Sequence, residues 1–202
     1  MTVLLRGPPG CGKTAIAAKV AVDSGYPFVR MISADEMIGY SETSKCQMIH
    51  KVFLDSYKSP LSLIFIDDIE RIIEYVPIGP RFSNLVLQTL LVLLKKTPPD
   101  NGRKLVVLGT SSVPNFLEDV GLTHAFSVSQ IVNLLDEPSQ ISEVLRVVGH
   151  VSDQDASKMA AFITKPIGIK QLLMVIEMAR QASTNGNVGI NEFFECLQSI
   201  GY

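Results

Sequence analysis

A chain of 202 residues, 47% of them hydrophobic, can bury the core of one domain with a smaller appendage. A formal net charge of −2 and a pI near 5.9 exclude a general nucleic-acid binder, which carries a basic surplus. No run reaches the roughly 18 uninterrupted apolar residues of a membrane helix, so direct membrane insertion is not expected, and the excess apolar surface behind a mean hydropathy of +0.27 is expected in contacts with other subunits.

The chain opens on Val3-Leu4-Leu5-Arg6, which reads as an apolar strand and runs into Gly7-Pro8-Pro9-Gly10-Cys11-Gly12-Lys13-Thr14. This is a complete G-x-x-x-x-G-K-[ST] phosphate loop, with a strand before it and an Ala-rich helix from Ala15 to Val22 after it. Glycines allow successive backbone N–H groups to turn around an anion, and the helix N-terminus adds its partial positive charge. Pro9, Gly10, Cys11, Gly12, Lys13, Thr14 and Ala15 are therefore the expected nucleotide contacts. Lys13 would reach the β- and γ-phosphates of ATP, and the Thr14 hydroxyl would bind Mg²⁺. Phosphate-loop domains normally carry residues ahead of this strand, so the chain reads as a piece of a longer polypeptide lacking an upstream segment that would touch the adenine. With Met1 leading straight into a core strand, no secretory signal is expected.

Phe28 to Ile32 reads as the next strand, giving a parallel pair with a right-handed crossover. Ser33 to Met37 reads as a helical turn capped by Ser33. Ser41 starts a helix that turns Met48, Ile49, Val52 and Phe53 towards the sheet and Lys45, Gln47 and Lys51 towards water. Leu63-Ile64-Phe65-Ile66 is a buried strand ending in Asp67-Asp68. Because ligands sit at the carboxyl ends of parallel strands, Asp67 is expected beside the Mg²⁺ held by Thr14. Asp68 occupies the place of a water-polarising acid and is a methylene shorter than the usual Glu, so binding is expected to survive better than turnover.

Asn84 to Leu94 is a strongly apolar helix ending in Lys95-Lys96, which suits a helix C-terminus. Pro98, Pro99 and Gly102 form a turn before the strand Leu105 to Thr110. The hydroxyls of Thr110, Ser111 and Ser112 would face a γ-phosphate or its water, with Thr110 as a catalytic candidate beside Asp68. Phe126 to Ile131 closes a sheet of about five strands. Strands then cease: Ser139 to Val148, Asp153 to Ile163, Gly168 to Gln181 and Asn191 to Gln198 read as four helices, with a turn at Asn185-Gly186-Asn187. The expected fold is α/β, a parallel five-stranded sheet flanked by helices over residues 1–133, followed by a small helical subdomain over 134–202.

The three cysteines, Cys11, Cys46 and Cys196, are odd in number and lack metal-ligand spacing, as reduced cytosolic thiols do. Cys11 sits in the phosphate loop near a helix N-terminus, where a thiol becomes more acidic, so its alkylation is expected to block nucleotide entry; the alternative is a small residue tolerated in a loop. Cys46 and Cys196 read as core packing.

The order of phosphate loop, Asp-ended strand, hydroxyl-ended strand and helical lid resembles the P-loop AAA ATPases over essentially the whole chain. A closer match lies in Met37-Ile38-Gly39-Tyr40-Ser41-Glu42, Lys45-Cys46, Asp67 to Arg71, Tyr75 to Asn84, Leu91 to Lys96 and Leu172 to Met178. These strings look like the second ATPase module of the N-ethylmaleimide-sensitive fusion factor family. The resemblance implies a cytoplasmic homohexamer, recruited peripherally to membranes, that works with SNAP adaptors to take SNARE complexes apart after vesicle fusion. It also implies that the second module mainly binds ATP and holds the ring together. Three departures from a motor pattern agree. Met37 occupies the slot of the pore-loop aromatic, no arginine lies between Thr110 and Ile131 to act as a finger, and Lys170 replaces the usual arginine of the third lid helix. A finger is worth roughly 10³–10⁵ in rate, and a lysine is a point charge without the planar fork. By the same resemblance, Lys170 of the same subunit and Lys95 or Lys96 of its neighbour would contact the γ-phosphate. The competing readings are an independently active motor and a nucleotide-regulated scaffold without hydrolysis.

Overall fold

The computed structural model describes residues 1–79, 81–99, 102–183 and 186–202. Pro80 of the quoted strings and Asn185 of the expected turn lie outside the described residues. Contacts divide the chain into two compact units, Met1–Gly7 with Lys13–Val132, and Pro8–Gly12 with Asn133–Tyr202.

In the first unit, β1 (Thr2–Arg6), α1 (Lys13–Asp23), β2 (Phe28–Ile32) and α2 (Glu42–Ser56) are followed by β3 (Leu61–Ile66) and the four-residue α3 (Ile69–Ile72). Next come α4 (Asn84–Lys95), β4 (Lys104–Ser111), the short α5 (Pro114–Asp119) and β5 (Val128–Ile131). The five strands form one sheet in the order β2-β3-β4-β1-β5, every pair parallel. Successive strand residues point to opposite faces, so the inner strands are apolar on both. Leu4, Ile64 and Ile66 pack with Phe53 of α2 and Leu90 of α4, while Leu5, Leu63 and Phe65 pack with Ala17 and Ala21 of α1. The edge strands β2 and β5 are mostly exposed. Ser41 and Ser83 cap α2 and α4 by accepting from the N–H groups of Ser44 and Val86.

Three sequence expectations fail in the segment between β2 and the middle of α2. Ser33 does not cap the 3-10 turn Asp35–Met37, which Ala34 precedes without a side-chain cap; its hydroxyl instead helps hold the Asp35 carboxyl below the ordinary carboxylate range. Met37, assigned to a pore-facing slot, is 1% exposed and belongs to the core, and the protruding residue is Ile38, 80% exposed. Lys45 does not face water. It is buried, with its ammonium on the Glu74 carboxylate, because α2 turns its first-turn lysine inward over a residue held in the left-handed region at φ 57°. Neither α3 nor α5 was expected, since four to six residues are too few to show a helical period.

The second unit is α6 (Pro138–Gly149), α7 (Asp153–Phe162), α8 (Ile169–Ala182) and α9 (Ile190–Ser199). Its core joins Ile141, Leu145, Met159, Leu172, Ile176 and Phe193. α6 ends on His150 in the left-handed conformation at φ 52°, and Ser152 caps α7 by accepting from the Asp155 N–H. A bridge between Leu135 and Ile167 ties the entry of the unit to the segment before α8. No helix of the described residues is long and apolar enough to cross a membrane.

Candidate nucleotide site

The register of the central strands builds one wall of the site. Ile66 pairs with Gly109 and Leu5 with Thr110, so one further step along β3 sets Asp67 level with Thr110. The space beneath is tightly filled: a Cβ on Gly109 would fall 2.7 Å from the Phe126 ring and 2.9 Å from Ile69. Thr110 is wholly buried, and its hydroxyl donates to Asp67 Oδ1 at 2.6 Å while accepting from the Asp68 N–H at 2.8 Å. Thr14 Oγ1, at the start of α1, donates to the same Asp67 oxygen at 2.9 Å. Two hydroxyls thus converge on one carboxylate oxygen. Of the neighbouring serines, Ser111 is also fully buried, its hydroxyl accepting from the Val113 N–H, and the Ser112 N–H donates to Glu70 Oε1 at 2.8 Å. The other oxygen of Glu70 is buried with no partner among the described residues.

Asp68 has a different environment. It stands in the left-handed region at φ 47° and ψ 63°, where a residue with a Cβ is uncommon. Its Oδ2 lies 3.3 Å from Arg71 Nε. Asp67, Asp68 and Arg71 line a cavity of about 610 Å³ with Asp35, Ile38 and Glu74. Arg71 and Glu74 were not singled out as site residues in the sequence. The three-residue spacing of Asp68 and Arg71 was a readable signal, because residues so spaced face each other on a helical turn.

Lys13 is buried and its ammonium donates to the Gly7 carbonyl at 2.9 Å. Gly10 and Gly12 both take positive φ, 78° and 98°, the conformation that glycine adopts without a Cβ penalty. Within the second unit, the Lys170 N–H donates to the Gly10 carbonyl at 3.1 Å. The approach there is tight: a Cβ on Gly168 would lie 3.0 Å from Gly10 O, and one on Gly12 3.1 Å from the Ile169 side chain. The Lys170 side chain is exposed. Cys11 is 6% exposed, so a reagent does not meet an open thiol. Cys46 and Cys196 are half-buried against the two cores.

Lys95 and Lys96 are not brought to Asp67 within the chain. They end α4, which leads into the amino end of β4, whereas Asp67 follows the carboxyl end of β3. Lys96 Nζ lies 5.8 Å from the centre of the Tyr57 ring.

The donors at Thr14 and Asp67 fit Mg²⁺, which keeps several waters and takes one or two protein oxygens plus phosphate oxygens. Among the described residues no group of three acids, histidines or cysteines could hold a metal ion by itself.

The chain is similar to the vesicle-fusing ATPase of Dictyostelium discoideum, 48% identical over 200 residues, which is 99% of this chain and 26% of the relative. It is 46% identical over 207 residues to the vesicle-fusing ATPase of Arabidopsis thaliana, covering 98% of this chain and 28% of that one. For the vesicle-fusing ATPase of Caenorhabditis elegans the identity is 40% over 195 residues, 93% and 24% of the two chains. The chain therefore spans about a quarter of the length of the curated relatives it matches. The family model matches residues 3–134, and this chain belongs to the ATPase family associated with various cellular activities (AAA).

Proposed function

We propose that the chain is an ATP-binding module of a vesicle-fusing ATPase, one that uses ATP with Mg²⁺ mainly to hold neighbouring copies in a homohexamer and hydrolyses it slowly. The observation that carries this reading is the convergence of the Thr14 and Thr110 hydroxyls on Asp67 Oδ1, 2.9 and 2.6 Å away. ATP bound with Mg²⁺ supplies the transferable phosphoryl group and the cation that neutralises its charge. The chain's own part is positional. Gly10 and Gly12 shape the loop, Lys13 and the start of α1 offer positive charge to phosphates, and Thr14 with Asp67 presents hard oxygen donors. Thr110 fixes the Asp67 carboxylate. Lys170 in the same subunit and Lys95 or Lys96 from an adjacent one contact the γ-phosphate, which makes ATP a bridge between protomers. Through the rest of such a protein the module serves SNAP adaptors and SNARE complexes, in the cytoplasm and at membranes reached through those partners.

The test is to titrate the chain with ATP and ADP in Mg²⁺ while following binding, mass by light scattering and phosphate release. ATP is expected to bind, to raise the mass above that seen with ADP, and to release phosphate slowly. Turnover in the ordinary enzyme range of about 1–10³ per second would make the chain an independent motor. Failure to bind either nucleotide would overturn the reading altogether.

A further inference from the structure

The two adjacent acids after β3 are held by different means, one by hydroxyls and the other by a guanidinium. Asp67 is fixed by the hydroxyls of Thr14 and Thr110. Asp68 has its backbone N–H on the buried Thr110 hydroxyl and its carboxylate on Arg71, whose side chain is 74% exposed against 35% for Asp68. The contact follows from the chain itself, because the Arg71 N–H donates to the Asp68 carbonyl at 2.8 Å in the first turn of α3, and that turn brings the guanidinium back over the acid. A carboxylate that is to polarise a water must offer it a free oxygen within hydrogen-bond reach. One already paired with a guanidinium is a weaker acceptor, and its Oδ2 is turned to Arg71.

We propose that Arg71 is a positioning residue that restrains turnover, a latch that keeps the Asp68 carboxylate on its own guanidinium and away from the water that attacks the γ-phosphate. This rests on the ATP-binding reading above. It adds a cause of slow hydrolysis distinct from the missing methylene of Asp68, and one that is reversible: anything that draws the exposed guanidinium away, such as an acidic group of a neighbouring subunit, releases the acid. The chemistry is unchanged, with water adding to the γ-phosphorus, the bond to the bridging oxygen breaking and the water's proton leaving with phosphate or solvent. Only the orientation of the acceptor differs.

The experiment compares Arg71→Gln, Arg71→Lys and the wild-type chain for ATP affinity, kcat and KM, with melting temperature as a check on folding. The pair is solvent-facing, and exposed pairs shift a population by no more than about fivefold. The expected result is therefore a rise in kcat of about three- to fivefold for Arg71→Gln, a smaller rise for Arg71→Lys, and ATP affinity and KM that stay put. Raising the salt should speed the wild type and leave Arg71→Gln unmoved, since salt screens an exposed pair. In an Asp68→Asn background, Arg71→Gln should bring no gain, which assigns the effect to that acid. Equal or lower kcat for Arg71→Gln with intact ATP binding overturns the latch and leaves the ATP-binding reading standing. A gain that persists in the Asp68→Asn background also overturns it. Absence of ATP binding by the wild type overturns both.

Discussion

The two ends of the sheet bury similar groups and use them differently. At the amino end, buried hydroxyls close off backbone: Ser62 donates to the Ser56 carbonyl at 2.6 Å and Ser56 to the Phe53 carbonyl at 2.7 Å. The Tyr57 phenol is buried there with no partner among the described residues. At the carboxyl end the buried hydroxyl of Thr110 meets a carboxylate that also receives Thr14. A hydroxyl satisfied by a carbonyl terminates a turn and needs no further reason. Two hydroxyls spent on one acid fix where its negative charge stands, which matters when a cation is to sit beside it. The difference in partners, more than the degree of burial, separates the working end from the supporting one.

The sharpest way to break that contrast is to remove one fully buried hydroxyl from each end. Thr110→Val leaves the Asp68 N–H without its acceptor and Asp67 with one donor. Loss of such an outer partner of a ligating group is expected to lower turnover or Mg²⁺-dependent binding by about 10–100-fold, with about 1–3 kcal/mol of stability lost as well. Ser62→Ala should cost about 1 kcal/mol and leave nucleotide affinity where it was. Nucleotide titrations and denaturant melts of the two variants measure both quantities. Equal effects on binding would show that the carboxyl end has no special electrostatic task.

Next in size is Lys45→Met, which strips the cation from Glu74 on the cavity wall at the carboxyl end. The Lys45 side chain is 10% exposed but Glu74 is 50% exposed, so solvent screens the loss and the penalty falls short of that for a fully buried pair. About 1–2 kcal/mol is expected in a urea melt. A change within about 0.5 kcal/mol, the range of ordinary surface substitutions, would make this lysine as dispensable as a solvated one.

At the amino end the expected sign reverses. Burial pushes the Tyr57 phenol above its ordinary range, and an unmade hydrogen bond costs more than its oxygen contributes. Tyr57→Phe is expected to stabilise the chain by about 1 kcal/mol, read as a raised melting temperature. Destabilisation would mean that the hydroxyl has a partner and that the supporting end is as fully bonded as the working one.

What the sequence let one read divides along the same line. Strands β1, β3 and β4 announce themselves through near-continuous apolar runs such as Leu63 to Ile66, because inner strands of a parallel sheet are covered on both faces. Phe28 to Ile32 was legible for a different reason, its β-branched and aromatic residues between turn signals. The phosphate loop and Asp67 follow from spacing, and their meeting with Thr14 follows from the parallel topology. The sequence does not show which way a first-turn side chain rolls. Lys45 and Gln47 both read as polar positions of one helix, and only packing against Glu74 distinguishes them. Met37 and Ile38 were equally apolar, and the 3-10 turn, too short to carry a period, decides which is buried. The tie of Glu70 to Ser112 depends on α3, a four-residue helix too short to show a period, and of its ties only the three-residue spacing of Asp68 and Arg71 stood in the sequence to be read.

The smallest expected effect is also electrostatic and again contrasts the two ends. Asp35, just past β2 at the carboxyl end, is held below the ordinary carboxyl range first by the Ser33 hydroxyl and then by its own backbone. Asp55, near the end of α2 at the amino end, is held down first by its hydrogen bond from Lys58. Both acids titrate lower folded than unfolded. The stability they contribute is therefore present above the unfolded value of about 3.9 and is lost as pH falls through the lower folded value. Ser33→Ala should return Asp35 towards its ordinary range and flatten the acid limb of the stability profile, while Asp55 stays where it was. Salt of about 1 M, where screening acts within about 3 Å, should do the opposite, raising Asp55 by weakening its ion pair and leaving Asp35, whose first partner is neutral. Carboxyl-carbon titrations at low and high salt distinguish the two. If both acids rise together with salt, the hydroxyl is not what holds Asp35, and the carboxyl end is governed by the same exposed charges as the other.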